Sequence, residues 1–181
     1  MKKRLLSRRE TALIFTAIFL PIQFWMLYNV IMAFPAYVLR LSPWDLLGLF
    51  AYTQAFALGE SLLIFAGVAF LVLLAPYNWH GEKLVSCVSM LVLLLSFWII
   101  LLHLHYDMVI ALETIQIGVW LLIILATLAL LVGSAVRVPR VTALLIALLD
   151  RASVLTVFYL VIDMICVMIV VWRNIGVIGI G

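Results

Sequence analysis

The segment HLHYD, residues 103–107, places two histidines and an aspartate within an otherwise apolar stretch. Imidazole and carboxylate groups are ligands for divalent metals. On a continuing helix His103 and Asp107 would share a face, whereas in an extended turn His103 and His105 would do so. Glu113 would add a ligand if the chain folds back tightly there. The pattern predicts either an outer-rim divalent metal site or, as we favour, only polar and aromatic residues at a membrane edge.

A haem held by two histidines of this chain is not expected. The only other histidine, His80, precedes His103 by 23 residues, which is about 34 Å along an α-helix. Two residues so far apart along one helix cannot ligate the same haem. No bound cofactor is predicted beyond the metal alternative.

Two further acids, Glu60 and Asp163, lie inside apolar runs without a lysine or arginine nearby in sequence. A carboxylate within a bilayer costs several kcal/mol and is by default a candidate functional group. Three interpretations stay open. The acids could bond to each other or to Gln23, Gln54 or Thr156 as polar contacts between helices, carry protons or cations, or face a polar group on another subunit.

Known catalytic and nucleic-acid-binding patterns are not found in the chain. It contains no P-loop, dinucleotide-binding glycine motif, nucleophile elbow or HExxH zinc motif. Its net charge of +3 comes from basic residues at the ends of apolar runs, where they suit lipid headgroups. We therefore expect neither catalysis nor a nucleic-acid partner.

The elements that must position these residues are transmembrane helices. The chain of 181 residues is 69% hydrophobic and 10% charged, whereas soluble domains are about 25% charged. Since about 20 apolar residues span a bilayer, the sequence predicts one all-α transmembrane domain, 1–181, with five spans. These run about 7–33, 43–75, 84–102, 108–136 and 154–172.

Local signals predict several helix boundaries. Ser7 and Glu10 fit a capping box, and Ser42 followed by Pro43 fits the start of the second span. Pro21 is expected to kink the first span. Residues 141–151 are too short to span and predict either an interfacial helix or the start of a long tilted helix.

The distribution of lysine and arginine predicts the threading. With the N-terminus inside, nine of the eleven basic residues fall on the inner side and two, Arg40 and Arg173, on the outer side. Such a bias follows the positive-inside rule. We expect a multi-pass protein of a prokaryotic-type cell membrane with a cytoplasmic N-terminus, an external C-terminus and no cleaved signal peptide.

The layout of spans over residues 11–110 resembles the N-terminal membrane domain of lipoteichoic-acid-synthase-type sulfatase-fold enzymes. The resemblance lies in a first span ending near Tyr28-Asn29, an aromatic and proline-bearing link into LSPWDLL (residues 41–47), and a second span closing at LAP (residues 74–76). In that family the chemistry lies in a large extracellular domain after the last span. The resemblance implies a stand-alone membrane anchor, and it transfers no catalytic residue.

The sequence predicts a non-catalytic integral membrane protein whose partners are the lipid bilayer and other membrane subunits, in an anchoring, assembly or accessory role. A transporter or proton-translocating component using Glu60 and Asp163 is the main alternative. An outer-rim metal-binding membrane protein is the third.

Overall fold

The first helix begins at the capping box that the sequence predicts. In the computed structural model, which describes residues 7–74, 81–110 and 114–178, the Ser7 hydroxyl accepts a hydrogen bond from the Glu10 backbone N–H at 3.2 Å. The Ser7 N–H in turn donates to the Glu10 carboxylate at 2.8 Å. Two otherwise free donors of the first turn are thereby satisfied, and α1 runs Arg8–Val38.

The second helix also begins where its local chemistry predicts. The Ser42 hydroxyl accepts from the Asp45 backbone N–H at 3.2 Å and donates to the Asp45 carboxylate at 2.7 Å. Pro43 occupies the first helical position, where a missing N–H costs nothing. The remaining described helices are α2 (Pro43–Leu74), α3 (Glu82–Leu104), α4 (Tyr106–Ile110), α5 (Thr114–Arg137) and α6 (Pro139–Ile178).

Five of these helices, α1, α2, α3, α5 and α6, are long and apolar enough to cross a membrane. The described residues contain no strand. The all-α, five-span fold predicted from composition is therefore confirmed. A bilayer accounts for this arrangement because its hydrocarbon core offers no water to unpaired backbone groups, so a single span must satisfy its own hydrogen bonds as a helix.

Three helix boundaries differ from the predicted spans. α1 continues through Pro21 and Pro35 to Val38 instead of ending near residue 33, because a proline in a membrane helix removes one hydrogen bond without ending the helix. The fourth span begins at Thr114, since the short α4 precedes it. Residues 141–151 belong to the continuous α6, which selects the long-helix alternative over a separate interfacial helix.

α1 lies at the centre of the bundle and packs against α2, α3 and α6. Its buried residues run from Leu13 to Gln23. An apolar cluster joins α1 to the N-terminal halves of α3 and α6 and contains Leu13, Ile14, Ala17, Ile18, Val85, Val92, Leu145, Ile146 and Leu149. Among the described residues, α5 has its extensive contacts with α3 and α6, so it is the peripheral span.

Candidate functional site in the membrane-spanning helices

Asp163 and Gln23 form a buried polar pair between α6 and α1. Both side chains are 0% exposed, and the Gln23 Nε2 donates to the Asp163 Oδ2 at 2.6 Å. Of the partners considered for Asp163, the structure therefore selects Gln23. The second oxygens, Asp163 Oδ1 and Gln23 Oε1, are buried without a hydrogen-bond partner in the described part of the chain, which is costly in a medium without water.

The pair belongs to a series of polar contacts that fixes the register of α1 against α6. The contacts are Arg9 Nη2 to Asp150 Oδ2 at 2.5 Å, Thr156 Oγ1 to Thr16 Oγ1 at 3.2 Å, and Gln23 Nε2 to Asp163 Oδ2 at 2.6 Å. Successive partners are seven residues apart on α1 and six or seven apart on α6, and both series ascend. The two helices therefore run parallel, with the repeat of nearly 3.5 residues per turn typical of left-handed helix packing.

Gln54 lies on the face of α2 that packs into the bundle. It is 2% exposed, and Ala51, Ala57 and Ser61 beside it are 0% exposed. Small residues at such positions allow the backbones of two helices to approach closely. The Gln54 Oε1 has no hydrogen-bond partner among the described residues, so Gln54 is a polar core residue whose Oε1 makes no hydrogen bond to Asp163.

Glu60 lies outside this packed face. Its side chain is exposed although it is 17 residues after the start of α2 and 14 before its end, about 26 and 21 Å along the helix axis. It lines an open cleft of about 140 Å³ together with Pro21, Trp25, Ile64, Ser96 and Ile99. Its carboxylate makes no hydrogen bond or ion pair with the part of the chain that the structure describes.

The two acids therefore occupy different environments. Asp163 lies inside the α1–α6 interface, whereas Glu60 lines a cleft formed by α1, α2 and α3. No hydrogen bond joins Glu60 to Asp163 within the described ranges. A shared proton or a direct relay between them is not seen, and each acid needs its own explanation.

The histidines of HLHYD make contacts that suit a helix end. The His103 ring packs edge-to-face against Trp25 of α1, with centroids 5.0 Å apart. The His105 Nδ1 lies 2.9 Å from the Leu101 carbonyl oxygen at the last turn of α3. Asp107 is exposed. Glu113 lies outside the described residues, and among those described no three histidine, cysteine or acidic side chains are grouped to hold a metal ion.

A contact between the start of α2 and the last turns of α6 was not anticipated from the sequence. The Arg173 Nη1 donates to the Trp44 carbonyl at 2.6 Å, and its Nη2 contacts the Asp45 carboxylate at 3.2 Å. The guanidinium also lies 5.3 Å from the Trp44 ring centroid, within cation–π range. The signal was an acid beside a tryptophan at the start of one span and an arginine at the end of another, which the predicted threading puts on the same side of the membrane.

Comparison of the chain with models of protein families, with curated proteins and with solved structures finds no significant match.

Proposed function

We propose that the chain is a non-catalytic integral membrane subunit that anchors, assembles or assists a larger membrane complex. The observation that carries this proposal is Glu60, a carboxylate at mid-span that is exposed to the surroundings of the bundle. A charged group facing hydrocarbon costs about 3 kcal/mol on insertion scales. A polar group supplied by another membrane protein would remove that cost.

Asp163 provides an internal comparison for Glu60. The bundle buries Asp163 and gives it an amide partner in Gln23, as is usual for polar side chains within membranes. It gives Glu60 no partner among the described residues. The contrast favours a Glu60 carboxylate that is satisfied outside the chain over one that stabilises the fold.

We place the N-terminus in the cytoplasm and the protein in a cell membrane of prokaryotic type. The distribution of nine inner and two outer basic residues supports this orientation. The layout that resembles the anchor domain of lipoteichoic-acid-synthase-type enzymes supports an anchoring role in such a membrane.

A proton-translocating role is the second candidate. The unpartnered Asp163 Oδ1 and Gln23 Oε1 favour it, because a proton on the carboxyl could be shared between such oxygens. The lack of a hydrogen-bond path from Asp163 to Glu60 among the described residues makes it the weaker proposal.

Recovery of complexes from native membranes tests the first proposal. The tagged full-length chain is expressed at native level and extracted in a mild detergent, and its mass and copurifying proteins are determined. We expect a stoichiometric assembly, and we expect Glu60→Gln to reduce recovery of the partner several-fold while the chain itself remains folded. Glu82→Gln makes the same chemical change at an exposed position at the start of α3 and should leave recovery unchanged.

Proton flux into vesicles separates the two candidates. If the chain is a subunit without transport activity, vesicles that contain the wild-type chain should show no more proton flux than empty vesicles. Flux that is lost in Asp163→Asn, from a chain recovered alone, would favour translocation and contradict the subunit proposal. The subunit proposal would also be contradicted if the wild-type chain were always recovered without another protein and if Glu60→Gln did not change what is recovered with it.

A further inference from the structure

The cleft that contains Glu60 is a lateral groove between two consecutive spans. α1 packs against both α2 and α3, yet the described residues of α2 and α3 form no extensive contact with each other. Pro21 and Trp25 of α1 form its floor, Glu60 lies on its α2 wall and Ser96 on its α3 wall. We call this feature the α2–α3 groove. Ile99 at its edge is 65% exposed, so the groove opens toward the surrounding bilayer.

The size of the groove limits what can occupy it. Its volume of about 140 Å³ is below the roughly 300–1,000 Å³ of ordinary small-molecule sites. A groove of this size suits one or two side chains better than a cofactor or a lipid headgroup. Headgroup amines also stay at the membrane surface, whereas Glu60 lies about 20 Å or more from either end of α2. A side chain from a membrane-spanning helix fits both the volume and the depth.

The positions of the basic residues in this chain exclude a second copy as the source of a cation for Glu60. The eleven lysines and arginines of the chain all lie at or near the ends of the apolar runs, at positions 2, 3, 4, 8, 9, 40, 83, 137, 140, 151 and 173. None can reach the mid-span level of Glu60 on a neighbouring copy. A cation at that depth must come from another polypeptide, and within hydrocarbon that polypeptide is a helix.

We infer that the α2–α3 groove docks a single transmembrane helix of another protein, whose mid-span lysine or arginine pairs with Glu60. This inference rests on the proposed subunit role and specifies the partner. Pairing removes two separate costs, since a mid-span cation is as unfavourable alone as the carboxylate. Ser96 offers a hydroxyl beside the pair, and the apolar floor packs against the partner helix.

A designed peptide tests the chemistry of the groove. The full-length chain is reconstituted in phosphatidylcholine vesicles with a leucine- and alanine-rich transmembrane peptide carrying one central lysine, and association is measured by energy transfer. We expect the lysine peptide to associate about tenfold more tightly than the same peptide with a central leucine, and Glu60→Gln to abolish that difference. Equal association of the two peptides with the wild-type chain would overturn the inference.

Position is tested by moving the acid. Leu125 lies near the middle of the peripheral α5 and is 62% exposed. The double variant Glu60→Leu/Leu125→Glu keeps one mid-span acid but places it outside the groove, and we expect it not to bind the lysine peptide. Binding as tight as that of the wild type would show that any exposed acid suffices and would overturn the groove assignment.

Filling the groove is an independent test that retains Glu60. Ser96→Phe should reduce binding of the lysine peptide at least several-fold, with Ser96→Leu as the variant if the larger ring prevents folding. Helicity and melting temperature establish that each variant is folded. Unchanged binding by a folded, filled variant would exclude the groove as the docking site.

Photo-crosslinking in native membranes identifies the natural partner and separates this inference from the subunit role. A crosslinker at position 99 should capture a transmembrane segment of another protein that contains a mid-span lysine or arginine, with a yield that falls several-fold in Glu60→Gln. A second copy, or a segment without a basic residue, contradicts the inference. A stoichiometric complex that crosslinks only from position 125 would support the subunit role and contradict docking in the α2–α3 groove. A chain found without any other protein would contradict both the subunit role and the docking.

Discussion

The Gln23 side chain donates a 2.6 Å hydrogen bond to Asp163 across the interface of two parallel helices that are separated by most of the chain. Both side chains are fully buried, so neither can exchange its partner for water. The bond therefore joins the first and last spans at the centre of the bundle. Loss of either member leaves the other polar group alone in an apolar environment.

Removing Gln23 should destabilise the bundle more than neutralising Asp163. Gln23→Leu leaves both Asp163 oxygens without a partner and should cost about 1–3 kcal/mol. Asp163→Asn preserves an acceptor for Gln23 and adds a donor that could satisfy the Gln23 Oε1, so we expect a loss below about 1 kcal/mol. Reversible unfolding in mixed micelles measures both.

The double variant Gln23→Leu/Asp163→Leu provides the control for this prediction. With both polar groups removed, no unsatisfied group remains, and stability should recover part of the loss seen in Gln23→Leu. Additive losses in the double variant would show that the two side chains do not act as a pair.

The sequence predicts the two capped helix starts better than the other helix boundaries. Ser7 and Ser42 mark their starts because a cap is set by residues within one turn of each other. The end of α1 beyond Pro35 and the continuity of α6 through residues 141–151 depend on packing and on the bilayer, which local patterns do not record.

The difference between Glu60 and Asp163 could not be predicted either. Sequence position places both acids near mid-span, but α2 and α6 are apolar on nearly every side, so the hydrophobic pattern does not tell which face is buried. Only the rotation of each helix within the bundle turns Asp163 toward Gln23 and Glu60 toward the α2–α3 groove.

Cysteine labelling from outside the cell checks the proposed orientation. Leu39 follows α1 on the proposed outer side and Val138 separates α5 from α6 on the inner side; both are exposed. In a background without Cys87 and Cys166, a membrane-impermeant maleimide should label Leu39→Cys in intact cells. It should label Val138→Cys only after permeabilisation, which serves as the accessibility control. The reverse pattern would place the N-terminus outside.

Gly48 should be the least replaceable glycine of α2. A Cβ added there would overlap the Arg173 Nη1, so alanine must displace the guanidinium from the Trp44 carbonyl and from Asp45. Gly48→Ala and Gly59→Ala gain the same helix preference of alanine over glycine. Relative to Gly59→Ala, loss of the hydrogen bond to the Trp44 carbonyl, worth up to about 1 kcal/mol, predicts a melting temperature lower by about 2–4 °C.

Gly59→Ala is the matched control on the same helix, since an added Cβ there meets nothing within 4 Å. Alanine favours a helix over glycine, so this variant should melt no lower than the wild type. In an Arg173→Ala background the space beside Gly48 is empty, and Gly48→Ala should then cost nothing further. An equal loss from Gly48→Ala with and without Arg173 would show that the contact of Arg173 with Trp44 and Asp45 does not explain the need for glycine.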